Sequence, residues 1–210
     1  MPTFSQDALH LLRDPSQFKW YAVFLLTAVV YVYAVEIERR NWNLVFAGLA
    51  LWFMDWINEV VNGVIFHATQ HAALWTTTGP TAFQILIGLN FEICCMFAIA
   101  GIAFAKALPK DPAMKVLGLP NRWVMVLGYS VFCVFVEVLL NRTGYFHWAY
   151  PFWNVPHVWL IIIFGYGTFF AVAAWAHDLP TIRQKLRLVG ALGGTAAALL
   201  LVFGPVLGWI

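Results

Sequence analysis

The sequence predicts an all-α, polytopic integral membrane bundle of six transmembrane helices with both termini on the extracytoplasmic side. Three observations carry that expectation. Hydrophobic side chains make up 62% of the 210 residues and charged ones only 10%, against about 45–50% and about 25% in soluble domains. A mean hydropathy of +0.76 leaves too little polar surface to cover a water-soluble particle. Apolar runs also recur at the length needed to cross about 30 Å of hydrocarbon, which takes about 20 residues each. Soluble enzymes, secreted disulfide scaffolds, disordered tails and nucleic-acid binders are excluded. A net charge of +2 offers no argument for a polyanionic partner.

Residues 1–18 form an interfacial N-terminal segment. Asp7, His10, Arg13 and Asp14 are too polar for a signal-peptide core, while Phe4, Leu9, Leu11, Leu12 and Phe18 suit a segment lying along the membrane surface. Residues 19–210 form a single six-helix domain. The first span, about 19–36, is followed by Glu36, Glu38, Arg39 and Arg40 without a small-residue cleavage site, so it is retained. The second covers about 43–66. The third, about 81–105, follows the break at Gly79-Pro80. The fourth, about 123–141, follows the polar stretch from Pro109 to Asn121. The fifth, about 156–176, follows Pro151 and Pro156, and the sixth, about 188–208, follows the polar run from Asp178 to Arg187. Gly190, Gly193 and Gly194 in that last span read as close-packing positions. Cys94, Cys95 and Cys133 fall inside apolar runs and read as small hydrophobes, since an odd count with two adjacent members makes no disulfide framework.

Basic residues set the orientation. Arg13, Lys19 and Arg142 belong to the face that carries both termini. Arg39, Arg40, Lys106, Lys110, Lys115, Arg122, Arg183, Lys185 and Arg187 belong to the other. The positive-inside rule puts the richer face in the cytoplasm. The expected location is an inner or plasma membrane of bacterial type, crossed several times.

Four of the ten acidic residues, Asp55, Glu59, Glu92 and Glu137, lie inside spans that contain no Lys or Arg. A carboxylate at mid-membrane costs at least about 2.5–3.5 kcal/mol, so each is a functional candidate by default. Helical phase brings them to one side. Asp55, Glu59 and Asn62 are spaced i, i+4, i+7. Gly88, Glu92 and Cys95 share a face of the third span with Gln84 at its edge, and Ser130, Glu137 and Asn141 line up in the fourth. The polar stripes overlap in the middle-to-outer half of the bilayer, which predicts one pocket open to that half. Interhelical glue, with carboxyls and amides bonded to one another, is the structural alternative. The loop from Arg142 to His157 is dense in His, Trp, Tyr and Pro and reads as a cap over the pocket.

A carboxylic acid held neutral in a greasy, aromatic-walled site can protonate an alkene or epoxide. The chemistry expected here is therefore general acid–base catalysis on a hydrophobic lipid or isoprenoid, as in terpene cyclases, isomerases and hydratases (lyases). Glu92, as the deepest acid of its span, is the expected proton donor and Glu59 its partner, with Asp55 and Glu137 tuning or relaying protons. Asn62 and Asn141 would position substrate or water. Trp56, Phe91, Trp148, Trp153 and His147 would wall the substrate. No cofactor is needed for this chemistry. The run Leu89-Asn90-Phe91-Glu92 is similar, over a handful of residues, to the Asn-x-x-Trp-Glu run of membrane-bound meroterpenoid cyclases. The Trp is missing, the spacing differs and the last span has no acid, so the resemblance is one of reaction class.

Two other classes fit parts of the sequence. His67 and His71, spaced i, i+4, could share a metal ion with nearby carboxylates, which would make a metal-dependent membrane oxidoreductase. Intramembrane carboxyls also serve proton-coupled transporters, although no inverted repeat is visible; an accessory membrane subunit is the remaining form. The expected partners are the lipid bilayer and a hydrophobic small molecule.

Overall fold

The computed structural model describes residues 1–210. Helix α1 (Thr3–Leu11) is short, and α2 (Tyr21–Glu38) begins the bundle. It is followed by α3 (Trp42–Thr69), strand β1 (Trp75–Thr77), α4 (Phe91–Ala107), strands β2 (Lys115–Val116) and β3 (Leu119–Pro120), α5 (Asn121–Thr143) and strand β4 (Phe146–Trp148). Helices α6 (Val158–Asp178) and α7 (Ile182–Val206) complete the chain. Five helices, α2, α3, α5, α6 and α7, are long and apolar enough to cross a membrane. At 17 residues, α4 reaches about 25 Å at 1.5 Å per residue.

Helix α3 is the centre of the bundle, packed against α4, α6 and α7. Its crossing with α4 is close because two glycines meet. A Cβ on Gly101 would lie 2.7 Å from the Gly48 Cα, and one on Gly48 would lie 2.6 Å from the Tyr33 hydroxyl. Close backbone approach through small residues is the usual way helices pack where lipid supplies no hydrophobic drive. The main core, with Leu51, Phe97, Phe104, Phe170 and Ala173, lies between α3, α4 and α6.

The helix bounds depart from expectation at two places. Residues 81–90, read as the outer half of the third span, are a buried non-helical segment with a tight turn at 86–89, and α4 starts only at Phe91. Gly88 disfavours a helix here, and Asn90 caps the helix that follows, accepting from the Ile93 amide at 2.9 Å. The last helix begins at Ile182, six residues earlier than the apolar run suggests, because Thr181 and Gln184 form a reciprocal capping box. Of the three glycines expected to pack in α7, Gly193 approaches Phe53, whereas Gly190 and Gly194 have open space.

The architecture is not purely helical. Strands β1 and β4 pair antiparallel with Trp75 opposite Trp148, Thr76 opposite His147 and Thr77 opposite Phe146, and β2–β3 close a hairpin at the other end. Helix α5 stops at Gly144, whose φ of +78° suits glycine at a helix C-terminus, and the chain turns directly into β4. The two strands, residues 79–90 and α1 form a cap at one end of the bundle. Ala8 of α1 is buried there against Ala73 and Ile87, and Phe4 stacks on His147 at 4.8 Å. Trp209, beyond α7, stacks on His67 at 4.7 Å, so both chain ends lie at the cap end.

The opposite end is tied by charge. Arg122 grips Asp178 with two hydrogen bonds of 2.7 and 2.9 Å. Lys106 pairs with the buried Glu36, and the buried Lys185 donates to the last carbonyls of α6, including Ala176 at 2.7 Å, which are otherwise without helical partners.

Replacing Gly101 with Ala forces the α3–α4 crossing apart and should cost about 1–3 kcal/mol. Gly194→Ala, in open space, should leave stability unchanged or raise it by about 0.5–1 kcal/mol. Thermal unfolding of the two variants in one detergent distinguishes the positions.

Candidate functional site

Three of the four intramembrane acids converge. Asp55 and Glu59, one turn apart on α3, line a cavity of about 130 Å³ together with Glu137 of α5. The remaining wall comes from Ile93, Met96 and Phe97 of α4, from Phe132, Cys133, Val136 and Leu140 of α5, and from Ile161, Gly165, Tyr166 and Phe169 of α6. The cap supplies Trp75, Gly88, Phe146 and Trp153. No Lys, Arg or His lies among these residues.

Each acid is held differently. The Glu59 carboxylate accepts a 2.8 Å hydrogen bond from the Trp75 indole, and its second oxygen is buried without a partner. Glu137 accepts from the Tyr166 hydroxyl at 2.7 Å. Asp55 is 2% exposed, and its Oδ2 has no hydrogen-bond partner. Unpaired buried acceptors cost free energy unless they bind a proton or gain a donor, and these two oxygens belong to residues that line the cavity.

The cap positions the Trp75 side of the site. Asn62 of α3 donates to the Trp75 carbonyl at 2.8 Å and accepts from the Leu74 amide at 2.8 Å. Asn141 of α5 donates to the Phe146 carbonyl at 3.0 Å. Both amides, expected to touch substrate or water, instead anchor the two strands. Gly88 lets the turn at 86–89 pass close to Trp75, where a Cβ would fall 2.5 Å from the indole nitrogen. On the other side, a π-helical turn over Ile161–Tyr166 carries Ile161, Gly165 and Tyr166 to the cavity. A Cβ on Gly167 would collide with the Ile162 carbonyl at 2.7 Å, which makes glycine the fitting residue after that turn. Such single π turns recur at functional sites.

Several expected site residues lie elsewhere. Glu92 does not line the cavity. It sits at the first turn of α4, where its carboxylate accepts from the Tyr21 hydroxyl, from Thr81 Oγ1 at 2.6 Å and from the Ala82 amide at 2.7 Å. That makes it a clasp for the non-helical segment 81–90, and the reason is the missing outer half of the third helix. Gln84, placed on the same stripe by helical phase, is buried in that segment and bonds Thr77 Oγ1 at 2.6 Å. Ser130 bonds back to the Val126 carbonyl.

Among the expected wall residues, Trp153 lines the cavity and stacks on Trp75 at 6.2 Å. Trp56 packs edge-on against Trp52, Trp148 against Phe146 in the core, and Phe91 lies at the start of α4. His147 bonds Thr78 and the Gly144 carbonyl. His67 and His71 have separate aromatic neighbours, Trp209 and Tyr150, and no group of three or more His, Cys, Asp or Glu is gathered to hold a metal ion.

Sequence reasoning missed Trp75, Phe97, Phe169 and Tyr166. A phenol inside a span is a weak signal, but Gly165-Tyr166-Gly167 carries it between two glycines in the middle of an apolar helix.

Residues 2–205 match a family described as an uncharacterized membrane protein family. An Archaeoglobus fulgidus protein, described as uncharacterized, is 44% identical over 211 residues that span the whole of both chains. The chain belongs to this membrane protein family. A second Archaeoglobus fulgidus protein, also described as uncharacterized, is 39% identical over 56 residues, all of its own length and 27% of this chain. No solved structure matches. The family membership and the apolar helices agree on a multi-pass helical membrane protein.

Removing the Asn62 side chain strands backbone groups of Leu74 and Trp75. Asn62→Ala should therefore destabilise the cap by about 1–3 kcal/mol. Hydrogen exchange should rise at residues 74–77 and remain unchanged in the inner halves of α6 and α7.

Proposed function

We propose that the chain is an integral membrane enzyme that acts on an unsaturated lipid or isoprenoid by carboxyl acid–base chemistry, as an isomerase or cyclase. The observation that carries this reading is the set of three carboxyls facing one apolar, aromatic cavity with no basic group beside them. Glu59 and Glu137 each already accept a hydrogen bond from a fixed donor. Asp55 accepts none, which leaves it the group best placed to point its own proton into the cavity, and we assign it as the acid.

The acid O–H proton adds to one alkene carbon, and the π electron pair forms the new C–H bond. Asp55 is left as carboxylate, and positive charge develops on the neighbouring carbon. The faces of Phe97, Phe169, Tyr166 and Trp153 stand around that position, and each aromatic contact with a cation is worth roughly 0.5–2 kcal/mol. Loss of a proton from an adjacent carbon to Glu59 or Glu137 restores a double bond. Proton exchange among the three carboxyls, and with water while the pocket is empty, returns the acid to its starting state, so isomerisation or ring closure needs no co-reactant.

A blind pocket favours this chemistry over carriage across the membrane. Inward of the cavity, Leu51, Phe104 and Phe170 are fully buried in an apolar core that contains no charged side chain. The cap end, where both chain ends lie, carries few basic residues, and the other end carries most of them. This supports six crossings, with α4 and residues 81–90 together as the third, and an extracytoplasmic cap by the positive-inside rule. The membrane is then the cytoplasmic one, in bacteria as in the archaeon that holds the relatives.

Deuterium exchange tests the reading. Purified protein incubated in deuterated water with a panel of linear polyprenyl compounds should yield product carrying one deuterium per turnover, read by mass spectrometry. Asp55→Asn and Glu59→Gln should each slow incorporation by about 10²–10⁴-fold with unchanged helicity; full rates in both would overturn the assignment.

A further inference from the structure

The walls of the cavity are not equally tight. Helix α4 is seated on α3 and α5 on α6, but α4 and α5 form no packed seam with each other. At the level of the cavity the lining residues of these two helices that are also exposed are Met96 on α4 and Phe132 and Leu140 on α5. All three line the cavity and are also exposed on the outside of the bundle, at 46%, 61% and 36%. A residue that belongs to both surfaces marks a mouth. In a bilayer, the medium outside that mouth is hydrocarbon. Deeper in the membrane the two helices meet again where Phe104 lies edge-on to Tyr129 at 5.2 Å.

A second hollow continues from the same mouth. Val124, Met125, Gly128, Tyr129 and Phe132 line an open groove of about 500 Å³ along α5, and Phe132 is common to the groove and the cavity. These positions recur every three or four residues and so form one stripe of the helix. From Phe132 to Val124 the stripe runs about 12 Å at 1.5 Å per residue. Gly128 widens it, since a side chain there would meet nothing within 4 Å. At the other end of the path, the unpartnered oxygens of Asp55 and Glu59 lie in residues that are 2% and 3% exposed.

We infer that a single-chain unsaturated lipid reaches the carboxyls sideways from the bilayer, through the mouth between α4 and α5, and lies with its tail along the α5 groove. This rests on the acid–base reading for what happens at the carboxyls, and adds the route and the shape of the substrate. The path has no charged side chain from Val124 to the cavity rim, so it suits hydrocarbon. All five lining residues come from one stripe of α5, a footprint that matches a single extended hydrocarbon chain. The cap closes the direct approach from water with Trp75, Phe146 and Trp153.

Photo-crosslinking in lipid nanodiscs tests the route independently of turnover. The probe is a polyprenyl alcohol with a diazirine at its tail end, in nanodiscs of saturated phosphatidylcholine, followed by peptide mapping. Labels should concentrate on residues 124–132. Gly128→Phe, which fills the groove far from the carboxyls, should lower that labelling about tenfold, the scale of one lost apolar subsite, while labels on the exposed face of α2 at Phe24 and Tyr31 stay constant. Val124→Phe should give the same loss, so the test does not depend on one variant folding. Equal labelling of α2 and α5, or labelling of α5 that ignores both substitutions, would overturn the proposal. Equal capture of a diazirine-bearing two-chain phospholipid in the groove would overturn it as well. Specific α5 labelling without deuterium uptake would overturn only the acid–base reading; deuterium uptake without α5 labelling would overturn only the route.

Discussion

A peptide group in hydrocarbon has no water to bond, and leaving one unsatisfied costs several kcal/mol, so every departure from helix inside this bundle has to bring its own partners. Residues 79–90 are the main departure. The segment is non-helical and largely buried, with Ala82 and Leu89 fully enclosed and Gln84 nearly so, and its backbone is satisfied from several sides. Leu89 bonds Ile85 and Leu86 within the segment, Phe91 reaches back to Phe83, and Lys19 donates to Ala82. Arg13 serves Gln84 through its amide and Ile85 through its guanidinium. The Gln84 side chain bonds the Leu86 carbonyl, and the Glu92 carboxylate holds the Ala82 amide. The role of the N-terminal segment follows from this. Its polar residues complete a piece of backbone that the membrane would otherwise penalise.

The site inherits its geometry from that arrangement. Because α4 starts late, the outer part of the space beside α3 is filled by thin chain, and Gly88 lets Trp75 lean over Glu59. Trp75 is aimed by Asn62, which belongs to the same helix as Asp55 and Glu59. Those two carboxyls, the indole that binds Glu59 and the amide that holds the indole's backbone thus form one short mechanical loop through α3 and β1. On the far side, the π turn of α6 does the equivalent work for Tyr166 and Glu137. A regular helix through the same residues would rotate the phenol relative to the flanking apolar positions. Polar precision is concentrated at the cap and at one helical irregularity, while the inner half of the bundle is ordinary packing.

The parts of this that could be read from the sequence are those with a cost attached to a single residue. Asp55, Glu59 and Glu137 stand out because no cation shares their spans, and helical phase brings the first two together without reference to any structure. Helix α3 is long and strongly apolar, so its bounds are close to those the hydropathy gives. Glu92 misled for the same reason that residues 81–90 did. An apolar run of helical length hides the signals against a helix, Gly88 and the Asn90 cap, and composition says nothing about whether a buried segment is helical or looped. The basic residues at 183–187 masked the first turn of α7, although Thr181 and Gln184 have the capping-box spacing. Tyr166, Phe97 and Phe169 were out of reach, since aromatics are common in spans and only the packing of α4 against α6 tells which of them face inward.

The strands at the cap have a mechanical consequence. β1 is fastened to α3 through Asn62, β4 is fastened to α5 through Asn141, and the two strands are paired with each other by backbone hydrogen bonds. The sheet therefore acts as a tie-beam across the bundle, fixing the span between α3 and α5 by covalent and hydrogen-bonded lengths. Helices held together by side-chain packing tilt when bilayer thickness or lateral pressure changes, but this pair cannot spread at its capped end. The compliance of the chamber is left to α4, the one wall helix that is both short and unbraced on its α5 side. The distance from Asp55 and Glu59 to Glu137 is thus tied at the capped end by the sheet, whereas the α4–α5 side of the cavity has no such tie.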